Sequence, residues 1–532
     1  MNLKRKLCGL MALCMLGTTA LTGCGGGGGV TGSVAPDDPD KEVTLRWVIP
    51  WYEQTDYSMV MEEINKRLPE LLPNTKLELV LDPSMGDKWS LWMAGGTSFD
   101  IAHSGYTTDL QSEINKQAYL PLDDLIDRLA PTIKEERDNT FKDNYLTGTY
   151  QGSLYAIPNN QYHIQETKLL VIPEDLKDYL DIQGLVATAH SSPTTQEDFY
   201  KILGNYFDAI KAANVLDTDT ISTVCDIERL YEYVAKRGYE FIGGNESNLC
   251  YKVFNDGKVE IINFYETEEF KIFIRYANEW YKKGYISKDV VSGGGAGNRQ
   301  YTAQAVNGSR IDLEADSTKV QYDSSVKDYR RYISLNNPEY DYTGAVVLGN
   351  LSTYQSIPTT AQNPERAMKL LELLRTEEGA EILNLLCYGI EDVHYKKLSD
   401  QEIDPFDYDG QGSSSSKYGI ANWLVGSLFD AYVVNPPYDA SIMDYGLNYY
   451  QNLKPNYTRT PVYGLSFDNT KVSNKLAQMA SAVAEYEMQL ICGVLENNDE
   501  TYNNLQKKLE VAGMKDVIAE FQKQADAYEV PQ

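Results

Sequence analysis

The spacing of hydrophobic and polar positions changes several times along the chain. Val43-Thr44-Leu45-Arg46-Trp47-Val48-Ile49 reads as a buried strand, and Pro50 ends it. Over 57–72, Met61, Ile64, Leu68 and Leu71 recur at helical spacing until Pro73 and Asn74 break the run. Residues 76–81 alternate as a second strand, and 88–93 form a short amphipathic helix. Residues 99–102 form a third strand, followed by a helix over 107–117. The order β-α-β-α-β-α predicts a parallel sheet with helices on both faces.

The rhythm breaks at 150–162, where a turn at Gln151-Gly152 leads into a strand that exits through Pro158. Helices are predicted over 199–212 and over 268–283, the latter with Phe270, Ile274, Ala277 and Tyr281 on one face. Residues 293–297 are a glycine-rich loop, and 344–348 read as a strand. Asn363-Pro364 reads as a helix start, a capping residue before proline at the first helical position. That helix runs to about 376, and another covers 377–387. Met479, Val483, Tyr486, Leu490 and Val494 share a helical face. Leu505, Leu509, Val517, Ile518 and Phe521 mark a helical hairpin after it.

The first residues carry an address. Lys4, Arg5 and Lys6 precede an apolar run over 7–19, which is shorter than the roughly 20 residues a membrane-spanning helix needs. Leu21-Thr22-Gly23-Cys24 resembles a bacterial lipobox. The resemblance implies a diacylglyceryl group on Cys24 and cleavage before it; the other reading is an ordinary signal peptide. Five glycines and a Pro/Asp-rich stretch then form a flexible tether.

Composition narrows the function classes. Against 77 Asp and Glu stand 48 Lys and Arg, a net charge of −29, so neither nucleic acid nor an anionic lipid surface is an expected partner. Cys225, Cys250, Cys387 and Cys492 lack metal-ligand spacing; Cys225 and Cys250 either pair as a disulfide or stay free. The four histidines are scattered, and no metal or cofactor is expected. The adjacent acids Asp123-Asp124, Glu268-Glu269 and Glu377-Glu378 are what chance gives in so acidic a chain. No nucleophile elbow or phosphate loop appears, so no catalytic residue is assigned.

The informative bias is 40 tyrosines against 13 phenylalanines. An apolar ring with a polar tip suits a wet, hydrogen-bonding cleft, and sugars need both stacking faces and polar partners. In open α/β sheets ligands bind beyond the carboxyl ends of the strands. Trp51, Tyr52 and Gln54 follow the first strand, Ser104 and Tyr106 follow the third, and Tyr155, Asn160 and Tyr162 lie where the chain leaves the sheet. Trp51, Tyr106, Tyr162 and Trp423 are expected to stack on sugar rings. Gln54, Ser104, Asn160 and Gln355 are expected to hydrogen-bond hydroxyls. Trp47 reads as core, and Trp89 as either core or site.

The lipobox, the glycine tether, the β-α-β start, Gly95-Gly96-Thr97-Ser98-Phe99-Asp100-Ile101 and Gly152-Ser153-Leu154-Tyr155-Ala156-Ile157-Pro158 together resemble carbohydrate-type solute-binding lipoproteins of ABC importers. Asn363-Pro364-Glu365-Arg366-Ala367-Met368-Lys369-Leu370-Leu371-Glu372-Leu373-Leu374 and the run over 385–395 resemble one Gram-positive subgroup with a C-terminal domain of unknown function. The resemblance implies an α/β, two-lobe type II periplasmic-binding-protein fold with a hinge and a helical C-terminal portion. It places a signal peptide at 1–23, a tether at 24–42, the first lobe at 43–160 and 290–390, and the second at 161–289 and 391–532. Crossings are implied near 157–162, 288–300 and 390–400. Asn307-Gly308-Ser309-Arg310-Ile311-Asp312 departs from the usual family segment. The implied activity is capture of a solute, an oligosaccharide above all, by lobe closure and delivery to ABC permease subunits by a lipid-anchored, extracytoplasmic monomer. The readings from other classes are a lipid-anchored surface glycoside hydrolase and a solute-sensing receptor.

Overall fold

The computed structural model describes residues 36–161, 167–181, 183–184, 196–215, 239–241, 249–253, 258–286, 288, 304–308, 318–323, 328–334, 353–406, 417–435, 440–448, 461–462, 465, 467–495 and 498–529. Whether Cys225 and Cys250 pair, the strand over 344–348, the lipobox and Tyr162 lie outside the described residues.

The opening β-α-β-α-β rhythm is present. Strand β1 (Val43–Ile49) runs parallel to β2 (Thr75–Leu81) from Val43 opposite Thr75 to Ile49 opposite Leu81, and parallel to β3 (Ile101–Ser104) on its other side. Leu45, Trp47 and Ile49 of β1 are fully buried, as are Val60, Ile64 and Leu68 of the crossover helix α1 (Tyr57–Leu71). Trp89 in α2 (Met85–Ala94) stacks on Phe99 and Tyr119 and is fully buried, so it belongs to the core.

The sheet is mixed rather than all parallel. Strand Tyr354–Ser356 inserts antiparallel between β3 and Ile157–Pro158, completing five strands. This is where the chain rejoins the first sheet. The strands within 304–334, expected in the first lobe, extend a different sheet through antiparallel pairing with Thr167–Pro173. Residues 417–435, expected in the second lobe, fold back on the first: Leu428 N donates to the Asn160 carbonyl and Ile420 N to the Cys387 carbonyl. Hydrophobic period reports which face of a strand is buried but not which sheet it joins.

The other core gathers Phe199, Phe207, Phe273 and Trp280 with C-terminal residues Met479, Leu490, Leu505, Leu509, Val517 and Phe521. The helices bearing the latter are Ser473–Ile491, Asn498–Ala512 and Met514–Ala527, the last two turning at Gly513 with φ +96°. Gln522 completes the edge of strand Val259–Asn263, accepting from Ile261 N at 2.8 Å and donating to the Val259 carbonyl at 3.0 Å. Replacing Phe521, 3% exposed and packed on Phe467, by alanine is expected to cost about 3–5 kcal/mol, read as a shifted urea midpoint.

Two local expectations are corrected. The Asn363 side chain does not cap the helix Pro364–Leu373. Its backbone N and Nδ2 both donate instead to Asp100 Oδ1, at 2.8 and 3.3 Å, tying the helix start to the end of the loop before β3. Asp37 and Asp38, expected within the tether, are fastened to the folded body by Arg366.

Candidate functional site

The carboxyl ends of β1 and β3 release two adjacent loops. After β1, the Trp51 indole Nε1 donates to the Gly419 carbonyl at 2.7 Å, and Gln54 Oε1 accepts from Gly419 N at 2.9 Å. One glycine thus holds both side chains. Tyr52 is 65% exposed and meets the Trp51 ring edge-on at 5.9 Å. The loop closes at Asp56, whose N donates to the Lys417 carbonyl and whose carboxylate faces His394 Nε2 at 3.4 Å. His394 Nδ1 accepts from Ile390 N at 2.9 Å, which leaves the proton on Nε2 toward Asp56. Burial pushes the His394 pKa down, and Asp56 opposes that.

After β3, Gly105 takes φ +93° and turns Tyr106 outward, 56% exposed. Tyr106 meets Trp423 edge to face with ring centres 5.0 Å apart, an arrangement that favours aromatic pairs. Trp423 lies within a short 3₁₀ turn, Asn422–Leu424. Its placement is fixed from below: Asn159 Nδ2 donates to the Trp423 carbonyl at 2.9 Å, and Gln355 Nε2 to the Leu424 carbonyl at 2.7 Å. His103 Nδ1 also lies 3.2 Å from the Leu424 carbonyl and must carry the ring proton, since a carbonyl only accepts.

Three residues expected to touch a solute are therefore corrected. Gln355 is 1% exposed; its Oε1 accepts from Trp47 Nε1 at 2.9 Å and its amide nitrogen serves Leu424. Ser104 is 1% exposed, and its hydroxyl sits 2.8 Å from Ser356 Oγ. Because Ser356 donates to the Tyr155 carbonyl, the Ser104 hydroxyl donates to Ser356. Asn160 is fully buried between Asn144 and Glu136. These polar groups lie one layer beneath the loops and set their height. Tyr155 is half-buried against the Trp89 core cluster. Trp51, Tyr52, Gln54, Tyr106 and Trp423 remain at the surface or half-buried at the strand ends.

Of the 417–424 loop, only Trp423 is expected at the site from sequence. Gly-Ile-Ala-Asn-Trp-Leu has neither helical nor strand period, so no pattern placed it over the sheet. His103 was also passed over. Its burial pushes its pKa down to about 4, so it stays neutral in the folded chain while an unfolded histidine protonates near 6.5. The unfolded state then binds the extra proton between these values. The contribution of His103 to stability is expected to fall by about 3 kcal/mol as pH drops from 7 to 4, read as the difference between wild type and His103→Asn in urea titrations.

Among the described residues no helix is long and apolar enough to cross a membrane, and no cluster of three His, Cys, Asp or Glu is placed to hold a metal ion. Glu136 and Asp430 both carry raised pKa values through burial, but they share Arg375, unlike the open acid pair of a glycosidase.

Residues 461–529 match the model of a domain of unknown function, DUF3502. Over 455 residues the chain is 23% identical to a carbohydrate ABC transporter substrate-binding protein of Streptococcus pneumoniae, covering 83% of this chain and 82% of that one. The N-glycan transport solute binding protein NgtS of S. pneumoniae superposes with a TM-score of 0.64 at 19% identity, over 91% of this chain and 98% of that one. The chain has the two-lobed fold of solute-binding proteins. FusA, an ABC-transporter substrate binding protein of S. pneumoniae solved with kestose, shares that fold at TM-score 0.56 and 15% identity, over 91% and 99% of the two chains. The loops bearing Trp51 and Tyr106 leave the carboxyl ends of β1 and β3, and Trp423 meets Tyr106 there.

Proposed function

We propose that the protein is the substrate-binding subunit of an ABC importer, capturing an oligosaccharide between its two lobes. The observation that carries the reading is the aromatic rim at the strand ends. Tyr106 and Trp423 form an edge-to-face pair, and Trp51 stands on the same side with Gln54. Rings of this kind offer apolar faces to sugar C–H groups, and the neighbouring amide supplies a polar partner. The relatedness to a carbohydrate ABC substrate-binding protein over four-fifths of both lengths supports the same class. NgtS has been solved with Man1GlcNAc and FusA with kestose, which favours a neutral oligosaccharide over a monosaccharide. Lipidation at Cys24 would hold the protein at the extracytoplasmic face, where it meets permease subunits as a monomer.

The test is a thermal-shift screen of the protein lacking residues 1–24 against neutral oligosaccharides, peptides and polyamines. A sugar present at 100 times its Kd is expected to add about 2.7 kcal/mol of stability, and mass spectrometry should recover it intact. Stabilisation by peptides alone would overturn the carbohydrate reading. Hydrolysis of the bound sugar would overturn the transport reading in favour of a surface hydrolase.

A further inference from the structure

We infer that Arg375, Glu136 and Asp430 form a buried clamp that positions the ligand-facing loop, with Asp430 the member that releases it; the ligand side of this inference rests on the proposed function. The clamp gathers three distant segments. Arg375, just after the helix Pro364–Leu373, is 3% exposed at its side chain, and its Nη2 donates to the Pro158 carbonyl at 2.7 Å. Pro158 ends the last strand before the chain leaves the first sheet. Two residues on, Asn160 Nδ2 donates to Glu136 Oε2 at 3.1 Å, and the Asn160 carbonyl accepts from Leu428 N at 2.8 Å. Leu428 opens the short turn Leu428–Asp430, which lies five residues beyond Trp423. The exit strand and the Trp423 loop are thus fastened to one guanidinium.

The fastening is uneven. Arg375 Nη1 lies 3.8 Å from both Glu136 Oε1 and Asp430 Oδ2, and it hydrogen-bonds neither. Glu136 is secured otherwise, accepting from Tyr145 Oη at 2.7 Å as well as from Asn160. Asp430 Oδ2 has no hydrogen-bond partner, although it is buried. The remaining acid facing the cluster, Glu372, is committed to the backbone N–H groups of Thr132 and Ile133 at 2.8 and 3.0 Å. One cation therefore serves two carboxylates, and Asp430 is the one held by charge alone on its inner oxygen. A quarter of the Asp430 side chain remains exposed, so protons reach it. Burial raises its pKa to about 7; Arg375 opposes the rise and Glu136 adds to it. Ionised, Asp430 pulls the turn toward Arg375; protonated, it leaves Arg375 to Glu136, and the turn keeps its backbone bonds and the stack of Phe429 on Phe141 but loses that pull.

The test uses protein labelled with fluorotryptophan, with the Trp423 fluorine resonance assigned through Trp423→Phe. Without any sugar, that resonance is expected to move with pH, with a midpoint between about 6 and 8. Asp430→Asn should abolish the movement, and Asp430→Glu should retain it with a shifted midpoint. A Trp423 resonance indifferent to pH in the wild type, or moving equally in Asp430→Asn, overturns the clamp. The wild-type titration decides the matter even if a variant does not fold. A second arm measures the affinity of the neutral oligosaccharide giving the largest shift in the screen above. Affinity is expected to change at least threefold between pH 5.5 and 8 in the wild type and to stay flat in Asp430→Asn; a pH-independent wild-type affinity overturns the coupling of clamp to ligand. If no sugar binds, the proposed function fails while the fluorine titration still decides the clamp.

Discussion

Replacing Arg366 by methionine is expected to destabilise the first lobe by about 3–5 kcal/mol, among the largest effects of any single substitution in this chain. Arg366 is 1% exposed. Its Nε donates to Asp37 Oδ2 at 2.8 Å, its Nη1 to Thr75 Oγ1 at 2.8 Å and to the Pro73 carbonyl at 3.0 Å, and its Nη2 to the Asp38 carbonyl at 2.9 Å. The planar guanidinium satisfies four acceptors from two chain segments at once, a task no aliphatic side chain can perform. Methionine fills the volume but leaves the Asp37 carboxylate, whose side chain is 6% exposed, to Lys369 alone and takes one donor from each of the Pro73 and Asp38 carbonyls. Burial alone would push the Asp37 carboxyl up, yet bonds from Arg366 and Lys369 hold it below the usual carboxylate range. A carboxylate depressed in this way stabilises the fold above its unfolded value near 3.8 and ceases to do so as pH falls through its folded value. The Arg366→Met deficit measured by urea titration should therefore be full at pH 7 and shrink below pH 4. A deficit equal at pH 7 and pH 3 would show that lost packing, not the ion pair, is responsible.

Trp423→Ala is expected to weaken oligosaccharide binding at least 30-fold, about 2 kcal/mol, while moving the melting temperature little. The indole is half-buried and its ring contact is with Tyr106, itself 56% exposed, so truncation removes a binding face rather than a core residue. Its carbonyl contact with Asn159 belongs to the backbone and survives the substitution. Gln355→Leu gives the opposite pattern. That change leaves the Trp47 Nε1 donor and the Leu424 carbonyl short of a buried partner, so it should lower stability by about 2–3 kcal/mol and weaken binding only through a displaced loop. Isothermal titration and urea melts on the two variants separate contact from support. Equal losses of affinity with equal losses of stability would contradict the division between surface aromatics and the polar layer below them.

Much of the first sheet was readable in the residues themselves. The alternation in Val43-Thr44-Leu45-Arg46-Trp47-Val48-Ile49 and the helical spacing of Met61, Ile64 and Leu68 report burial on one face, and burial is what a parallel β-α-β unit imposes locally. The rule that ligands meet open α/β sheets beyond their strand ends then singled out the neighbourhoods of Trp51 and Tyr106. The helical face of Met479, Val483 and Leu490 and the hairpin of Leu505, Leu509, Val517 and Phe521 were equally plain, because each depends on neighbours a few residues away.

What the sequence could not set was the partnership of distant segments. Ser104, Asn160 and Gln355 have the polarity of ligand contacts, yet their hydrogen bonds are taken by Ser356, Glu136 and Trp47, residues 24 to 308 positions away. A polar side chain at a strand end looks the same in one dimension whether it faces water or a buried carbonyl. The 417–424 loop shows the same limit, since its place depends on Gly419, Trp423 and Leu424 bonding to Trp51, Asn159 and Gln355, residues 69 to 368 positions earlier. Local period is fixed by the pleat and the helical turn, and so it is written in the sequence. Which buried donor meets which acceptor is decided only when the chain closes on itself, because the cost of an unpaired polar group is felt only after water has been excluded.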